Sequence, residues 1–340
     1  MKILIIRLSA LGDVAMTIPV ITSFAQQYPE IEIMFLSKAS VEPLFEHMPS
    51  NFHFRGLKEN EYANVFSLFR LFCSLKKEKF NLVADLHNVL RTKMLRILFQ
   101  LTGKQTKHID KGRKDKRRLV RKEHKIMKQL PSSFARYEKV FEELGYPIKT
   151  SFHSIFGDGK GDLKKFVHFT GVPNDKFWIG IAPFAAHKGK RLPEESVVKL
   201  IKQLSLHPKY QIFLFGGVLE KEILDEWSSA YPNVASLAGS LTLNEELALM
   251  SYLRVMISMD SANMHLASLV GTPVVSIWGA THYFAGFMGW MQDTQNAVET
   301  DLPCRPCSIF GNKDCYRKDY ACLQRISPEM IITKIEKIVN

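Results

Sequence analysis

The sequence predicts an α/β protein with two Rossmann-like, doubly wound domains, and three observations support this prediction. The chain has 340 residues, too many for one ordinary core and enough for two domains. Short apolar runs alternate with amphipathic helical stretches in both halves, as in parallel sheets covered by helices. Most runs end in glycine or polar residues, at the edge where open α/β sheets bind ligands. We therefore expect two facing domains with a cleft between them.

The first run, residues 2–7, is apolar on both faces and is predicted to be a central strand. It leads into a turn that contains Ser9, Gly12 and Asp13, and then into a helix over residues 14–28. The turn lacks the GxGxxG pattern, which argues against a nicotinamide-dinucleotide site. Asp13 either caps the helix or acts as a general base in the cleft.

The rest of the first half continues the alternation. Arg91 follows a strand that ends near residue 86, so it either contacts a substrate at the sheet edge or is a solvated loop residue. We place an interdomain linker within residues 151–173, and we expect the last helix to cross back to the first domain. The predicted strands of this half are 31–36, 80–86 and 105–110, the helices are 62–77 and 134–144, and the divisions of the chain are 1–165, 175–325 and 326–340.

The stretch of residues 255–279 reads as a strand, a polar turn, a helix and a second strand. Such a βαβ unit is right-handed, so the two strands lie parallel and the turn lies at the carboxyl edge. Asp260 and Ser261 mark the start of the helix, where free amides and the helix dipole favour a diphosphate. His265 lies one turn further on. The alternative is an N-cap followed by a buried histidine.

Composition restricts the class of protein. The formal net charge is +12, and residues 111–128 hold ten Lys or Arg but only two acidic residues. Such a segment either lies solvated on the surface or binds a polyanion, an anionic membrane or a phosphorylated glycolipid. It has no interleaved aromatic residues, which argues against nucleic acid. No apolar run is long enough to span a membrane and the first residues enter a strand, so we expect a cytoplasmic protein.

Four of the five cysteines cluster near the carboxyl end. Two interpretations remain open: reduced thiols that pack a loop, or a structural zinc site. The spacing of the second pair is wider than in a zinc ribbon, which favours packing. The four residues are Cys304, Cys307, Cys315 and Cys322.

Several motifs together resemble glycosyltransferase family 9, the heptosyltransferases of lipopolysaccharide core assembly. They are GDVAMTIP near the start, Lys190 before Leu-Pro, Gly-Gly before Glu220, LAGSLTLNEELALM, and SMDSANMHLASLVGTPVVSIWG. The resemblance covers nearly the whole chain. It implies the GT-B fold, an inverting transfer that requires no metal or other cofactor, and a nucleotide-sugar donor, namely ADP-heptose.

The resemblance also implies roles for individual residues. Asp13 takes the place of the catalytic base, and Ser9, Gly12 and Arg91 lie on the acceptor side. The donor residues are Lys190 for the diphosphate, Glu220 for the ribose, Leu241 for the base, Asp260, Ser261 and Ala262 for diphosphate and sugar, and His265 behind them. The chain departs from the family pattern at Ala262, where glycine is usual, although its backbone amide remains available.

These roles describe an attack of an acceptor hydroxyl on the anomeric carbon, with Asp13 accepting the proton. The implied acceptor is an anionic glycolipid, and the basic segment suggests peripheral contact with the inner membrane surface. Three alternatives stay open: a GT-B enzyme with another nucleotide sugar, including an epimerase; a nucleic-acid-binding protein; and a fold of this kind without catalysis.

Overall fold

The computed structural model describes residues 1–164, 167 and 175–339. The chain folds into two compact units, of which the first contains residues 1–113 and 131–155 and the second residues 114–130 and 156–340. Each unit is built on one parallel sheet. The predicted α/β class with two Rossmann-like sheets is therefore confirmed.

The sheet of the first unit has the order β3-β2-β1-β4-β5. Its central strand is β1, as its two apolar faces predict, and Ile5 lies opposite Phe35 on one side and Ala84 on the other. Strand β3 was not predicted, because its residues alternate between exposed and half-buried positions and include His53 and Arg55. The strands are β1 (Lys2–Ile6), β2 (Glu32–Lys38), β3 (Phe52–Leu57), β4 (Leu82–Asp85) and β5 (Gln105–His108).

The helix predicted over residues 14–28 is two helices. Thr17 interrupts it, because its hydroxyl and its N–H both bond to the carbonyl of Val14, at 2.7 and 2.9 Å. Pro19, which has no N–H, lies in the first turn of the second helix. The helices of this unit are α1 (Leu11–Ala15), α2 (Ile18–Gln27), α3 (Val65–Lys76), α4 (Leu90–Leu101) and α6 (Ser133–Glu143). Helix α5 (Arg113–Leu119) lies in the basic segment between α4 and α6.

The sheet of the second unit has six strands in the order β11-β10-β9-β6-β7-β8. The predicted parallel pair is present, with Ile257 of β9 opposite Val275 of β10. The sixth strand, β11, was not predicted because it contains only two residues. The strands are β6 (Phe177–Ala182), β7 (Tyr210–Leu214), β8 (Val234–Ser236), β9 (Val255–Met259), β10 (Val274–Ile277) and β11 (Ala297–Val298).

The last helix has the bounds that the sequence predicts. Its residues Ile331, Ile335 and Val339 are buried in the core of the second unit. The apolar stripe of this helix packs on α7, β9 and β10. The helices of this unit are α7 (Glu194–Ser205), α8 (Lys221–Ser229), α9 (Leu243–Met250), α10 (Ala262–Leu269), α11 (Ala321–Gln324) and α12 (Pro328–Val339).

The basic segment differs most from its prediction. Its helical part is α5 (Arg113–Leu119), whereas the sequence pattern had favoured the stretch after Leu119. Residues 114–130 belong to the second unit, so the predicted first domain, 1–165, is not continuous. The reason is burial, since Leu119 and Leu130 pack against Ala285. Of the expected linker, residues 165, 166 and 168–173 lie outside the described residues.

Within the part of the chain that the structure describes, no helix has both the length and the apolar character that a membrane span requires.

Candidate functional sites

The carboxyl edge of the first sheet places a carboxylate beside a buried guanidinium. Arg7 follows β1 directly, and its Nη2 lies 2.8 Å from Oδ2 of Asp13. Its remaining donors are used locally, because Nε donates to the carbonyl of Ser9 at 3.0 Å and Nη1 to that of Leu86 at 2.8 Å. The Asp13 side chain remains 39% exposed. A fixed carboxylate that a substrate can reach is what a general base requires.

Packing and charge hold this arrangement together. Burial opposes the charge on Arg7, but the neighbouring Tyr137 and Asp13 raise the pKa of its guanidinium above the usual value. Tyr137 is itself buried, which raises the pKa of its phenol to about 12. Its hydroxyl donates to the backbone carbonyl of Asp13 at 3.3 Å, so α6 supports the short helix α1.

The turn after β4 contributes a neutral imidazole to the same edge. The fully buried carboxylate of Asp85 accepts the N–H groups of His87 and Asn88 at 3.0 and 2.7 Å, which fixes the turn. Burial, and then the charges of Arg7 and Lys111, lower the pKa of His87 to about 3. Its Nδ1 accepts the N–H of Leu8 at 3.4 Å, so in the neutral ring the proton is on Nε2.

Lys111 completes a positive environment around Asp13. Its side chain is half-buried, and burial, together with Arg7 and Arg113, lowers the pKa of its ammonium group. Arg7, Lys111 and Arg113 thus bring three cations near the two carboxylates of Asp13 and Asp85. Such an excess of positive charge favours an anionic substrate group near the edge.

A cavity of about 300 Å³ opens at this edge. Ser9 and Arg91 line it, together with His87 and Tyr62. The Arg91 guanidinium lies over the Tyr62 ring, 5.3 Å from its centroid. Gly12 does not line the cavity; it lies within α1, where its role is confined to the backbone.

The carboxyl edge of the second sheet brings Lys190 and Asp260 together. Nζ of Lys190 lies 2.9 Å from Oδ2 of Asp260, and Asp260 is buried. Lys190 lies in a short 3-10 turn after β6, and Asp260 follows β9, so adjacent strands present the two groups. The ion pair holds the ammonium group of Lys190 beside Asp260, at the carboxyl edge of the sheet.

The N-terminus of α10 lies beside this pair. Ser261 is its N-cap residue, and the Ser261 side chain makes no capping hydrogen bond to the first turn. Ala262 is the first helical residue, and His265 is buried one turn later, in agreement with the predicted order. The amides at this terminus are suited to an anion.

The remaining donor candidates follow the next strands along the edge. Glu220 closes the turn after β7, where its Oε2 accepts the N–H of Gly217 at 2.8 Å. Leu241 is half-buried and directly precedes Thr242, the N-cap residue of α9. A separate cavity of about 810 Å³ on this unit is lined in part by Phe184, and none of the predicted donor residues lines it.

Two of the four clustered cysteines, Cys304 and Cys322, pack in or against the hydrophobic core of the second unit. In the described part of the chain, no three His, Cys, Asp or Glu side chains are placed to hold a metal ion. Cys322 belongs to the hydrophobic core, and burial raises the pKa of its thiol to about 11. Burial also raises the pKa of Cys307. All five cysteines are free thiols.

Sequence reasoning identified the carboxylates but missed most of the residues around them. Arg7, Lys111 and Tyr137 were not singled out. One signal was present, since Arg7 ends a run that is otherwise apolar after Lys2, which places a charge at a sheet edge. Lys111 and Tyr137 lie far from Asp13 in the sequence, and only the fold brings them there.

Two parallel α/β units with polar groups at their carboxyl edges define a protein of the GT-B class, and solved structures agree. The structure of the Escherichia coli ADP-heptose lipopolysaccharide heptosyltransferase II has a TM-score of 0.73 and 18% identity, over 100% of this chain and 98% of that one. The E. coli heptosyltransferase WaaC with ADP-2-deoxy-2-fluoro heptose has a TM-score of 0.69 and 17% identity, over 99% of both chains. These likenesses show the fold.

The sequence comparisons identify the family of this chain. The model of glycosyltransferase family 9 (heptosyltransferase) matches residues 68–316, and this chain belongs to that family. The lipooligosaccharide heptosyltransferase 2 of Campylobacter jejuni is 24% identical over 99% of both chains. The protein is therefore a glycosyltransferase.

Proposed function

We propose that the protein transfers a heptose from ADP-heptose to the core of a lipopolysaccharide or a related anionic glycolipid, with inversion at the anomeric carbon. The observation that supports this most directly is the exposed Asp13 carboxylate, which Arg7 holds in place. The names of the relatives support the sugar, because they are lipooligosaccharide or lipopolysaccharide heptosyltransferases.

The proposed donor site is the edge that contains Lys190 and Asp260. Lys190 supplies a positive charge for the diphosphate, and the amides of Ser261 and Ala262 at the start of α10 supply hydrogen bonds. Asp260 holds Lys190 through their ion pair and can accept a hydrogen bond from a sugar hydroxyl. We assign Glu220 to the ribose hydroxyls and Leu241 to the nucleotide base, and we place His265 behind the diphosphate.

The proposed acceptor site is the cavity lined by Ser9, His87 and Arg91, at the same sheet edge as Asp13. Arg91, Lys111 and the Nε2–H of His87 are donors that suit the phosphate or carboxylate groups of a glycolipid core. Ser9 lines the same cavity with its hydroxyl and backbone groups. Because the acceptor is attached to lipid A or a similar anchor, we propose that the enzyme acts on the cytoplasmic side of the inner membrane.

The chemistry assigned to these groups is a single displacement. Asp13 removes the proton of the acceptor hydroxyl as its oxygen attacks the anomeric carbon on the face opposite the diphosphate. Negative charge then develops on the leaving nucleotide, and Lys190 with the α10 N-terminus stabilises it. Since these groups supply the positive charge, we propose that no divalent metal ion is required.

A donor panel tests this proposal. The purified protein would be incubated with ADP-heptose, ADP-glucose, GDP-mannose or UDP-glucose, with and without a heptose-deficient lipopolysaccharide acceptor. We expect ADP release only with ADP-heptose plus acceptor, unchanged in excess EDTA, and a product of inverted anomeric configuration by NMR. Conversion of a nucleotide sugar to an epimer without acceptor would contradict transfer, and strict dependence on a divalent ion would contradict the assigned role of Lys190.

A further inference from the structure

The outer surfaces of α3 and α4 expose large apolar side chains. We call this surface the α3–α4 face and define it by Val65, Phe66 and Phe69 of α3 and Leu90, Ile97 and Leu101 of α4. Phe66 is 82% exposed and Leu101 79% exposed. Among the described residues, sixteen large apolar side chains are exposed, and six of them lie on this face. The two helices are only a small part of the chain. Such a concentration marks an interaction surface.

These side chains are additional to those that hold the helices on the sheet. The inner stripe of α3 contains Leu68, Leu71 and Phe72, which are buried in the core of the first unit. The inner stripe of α4 contains Leu95 and Phe99, which join the same core. The helices also pack on each other, so their outer residues form one surface. Folding therefore does not explain the outer apolar residues.

The charged side chains of the two helices α3 and α4 are all basic. Residues 62–77 and 86–109, which include both helices, contain no aspartate or glutamate. Arg70 and Lys76 of α3 and Lys77 directly after it are exposed, and Arg70 and Lys77 share the outer stripe with Phe66 and Phe69. Apolar residues bordered by Lys and Arg are the pattern of helices that lie in the interface of an anionic membrane.

The face leads to the candidate acceptor cavity. Tyr62 and Ala63, just before α3, line that cavity, and so do Val89 and Arg91 at the start of α4. Both helices thus begin at the cavity and extend away from it with their apolar residues outward. A lipid-anchored sugar in the cavity would bring its membrane against this surface.

The basic segment is a weaker candidate for the same partner. Nζ of Lys125 is used internally, since it donates to the carbonyls of Cys304 and Pro306 at 2.9 Å each. Lys116 and Lys122 lie over the rings of Phe287 and Tyr316. These three lysines stabilise the second unit and leave fewer charges for a polyanion.

We propose that the α3–α4 face docks on a bilayer that contains anionic phospholipids. Phe66, Phe69 and Leu101 enter the interface between headgroups and acyl chains, and Arg70 and Lys77 bind lipid phosphates. The proposal rests on the proposed function only for its choice of acceptor, since binding to lipid can be measured without substrate.

Vesicle co-sedimentation tests the proposal. The full chain would be mixed with vesicles of phosphatidylethanolamine and phosphatidylglycerol, or of phosphatidylcholine alone. We expect binding to the anionic vesicles, and a loss of at least about tenfold in the partition coefficient for Phe66→Ser with Phe69→Ser. Arg70→Gln with Lys77→Gln should lose about thirtyfold, because each charge contributes about fivefold to partitioning near an anionic surface.

Matched controls separate docking from loss of structure. Leu206→Ser changes a side chain that is 76% exposed on the second unit, and Lys199→Gln with Lys202→Gln removes two exposed charges from α7. Both should bind as wild type does. Phe66→Leu with Phe69→Leu keeps the face apolar and should restore most of the binding. Equal binding by wild type and the serine variants would overturn the proposal. The proposal would also be overturned if the wild-type protein bound no vesicles and instead formed a concentration-dependent dimer that the serine variants abolish.

The outcome is separable from that of the proposed function. With a water-soluble, delipidated acceptor, the serine variants should keep wild-type kcat/KM, whereas transfer to an acceptor embedded in vesicles should fall about tenfold, in line with the lost partitioning. Vesicle binding without transfer to any acceptor would contradict the proposed function and leave docking supported. Transfer to an acceptor without vesicle binding would support the proposed function and contradict docking.

Discussion

The guanidinium of Arg7 lies 2.8 Å from the carboxylate of Asp13 and also donates to the backbone of the turns after β1 and β4. One buried side chain thus connects the candidate base to two strands of the sheet. A second pair, Arg55 with Glu61, has the same separation of 2.8 Å but lies on the surface. The two pairs allow a matched comparison, because the distance is equal and the burial differs.

Arg7→Gln should impair both stability and turnover. Loss of the guanidinium leaves the Leu86 carbonyl without this donor and Asp13 without its anchor, and we expect a cost of about 3 kcal/mol in the free energy of unfolding. Displacement of Asp13 should lower kcat about a hundredfold while ADP affinity is retained. Arg55→Gln should cost less than about 1 kcal/mol and leave kcat unchanged. Urea unfolding and steady-state kinetics measure both; equal effects of the two substitutions would contradict the role of Arg7.

Lys190→Gln should weaken donor binding. The substitution removes the charge proposed for the diphosphate and leaves Asp260 buried without its ion pair, so ADP affinity should fall about tenfold to a hundredfold. Lys188→Gln is the control, because Lys188 lies in the same turn but over the ring of Tyr320. Isothermal titration with ADP compares the two. A Lys190→Gln protein that binds ADP as tightly as wild type would remove Lys190 from the donor site.

His87 should make the protein sensitive to acid. Its pKa is about 3 in the folded protein, against 6.5 for an ordinary histidine, because it is buried beside Arg7 and Lys111. Below pH 6.5 the unfolded chain takes up a proton that the folded chain does not, so the free energy of unfolding falls as the pH drops toward 3. Above pH 6.5 both states are neutral and this contribution vanishes.

The measurement is the melting temperature of wild type and His87→Gln between pH 4 and 8. The loss of stability below pH 6.5 should be smaller in His87→Gln than in wild type. His153→Gln, at an exposed position, should follow the wild-type profile. Parallel profiles for wild type and His87→Gln would show that His87 does not contribute.

Arg305 should be a principal stabilising residue of the second unit. Its guanidinium donates to the carbonyls of Gly279, Trp278 and Thr300 at 2.6, 3.0 and 2.7 Å, and it pairs with Glu299 at 2.9 Å. Arg305→Met leaves the buried carbonyls of Trp278 and Gly279 without this donor and removes an ion pair from Glu299, and we expect a loss of about 3 to 5 kcal/mol in the free energy of unfolding.

The exposed Arg325→Met is the comparison and should change stability by about 0.5 kcal/mol or less. Chemical denaturation measures both variants. If Arg305→Met were as stable as Arg325→Met, the hydrogen bonds of Arg305 would not stabilise the loop that carries the cysteines.

The parts of the fold that local sequence determines could be predicted. The apolar run of β1, the βαβ unit around Asp260 and the bounds of α12 all depend on patterns within about a dozen residues. The edge positions of Asp13 and Asp260 follow from the same patterns, because polar residues after a parallel strand lie at the carboxyl edge.

The features that distant contacts determine could not be predicted. Residues 114–130 join the second unit because Leu119 and Leu130 are buried there, and the apolar stripe of α12 is buried in the core of the same unit. The environment of Asp13 includes Lys111 and Tyr137, which are about a hundred residues away in the chain. The strands β3 and β11 were missed because one has a mixed polar pattern and the other contains two residues.

The most direct test of the account is the effect of Asp13→Asn on the chemical step. Asparagine has nearly the same shape but cannot accept the proton, so kcat for transfer from ADP-heptose should fall by about 10²- to 10⁴-fold. ADP affinity should remain that of wild type, because the donor site is assigned to the second unit. A variant with wild-type kcat would contradict the role of Asp13 as the base, whereas the predicted loss of kcat with intact ADP binding would support it.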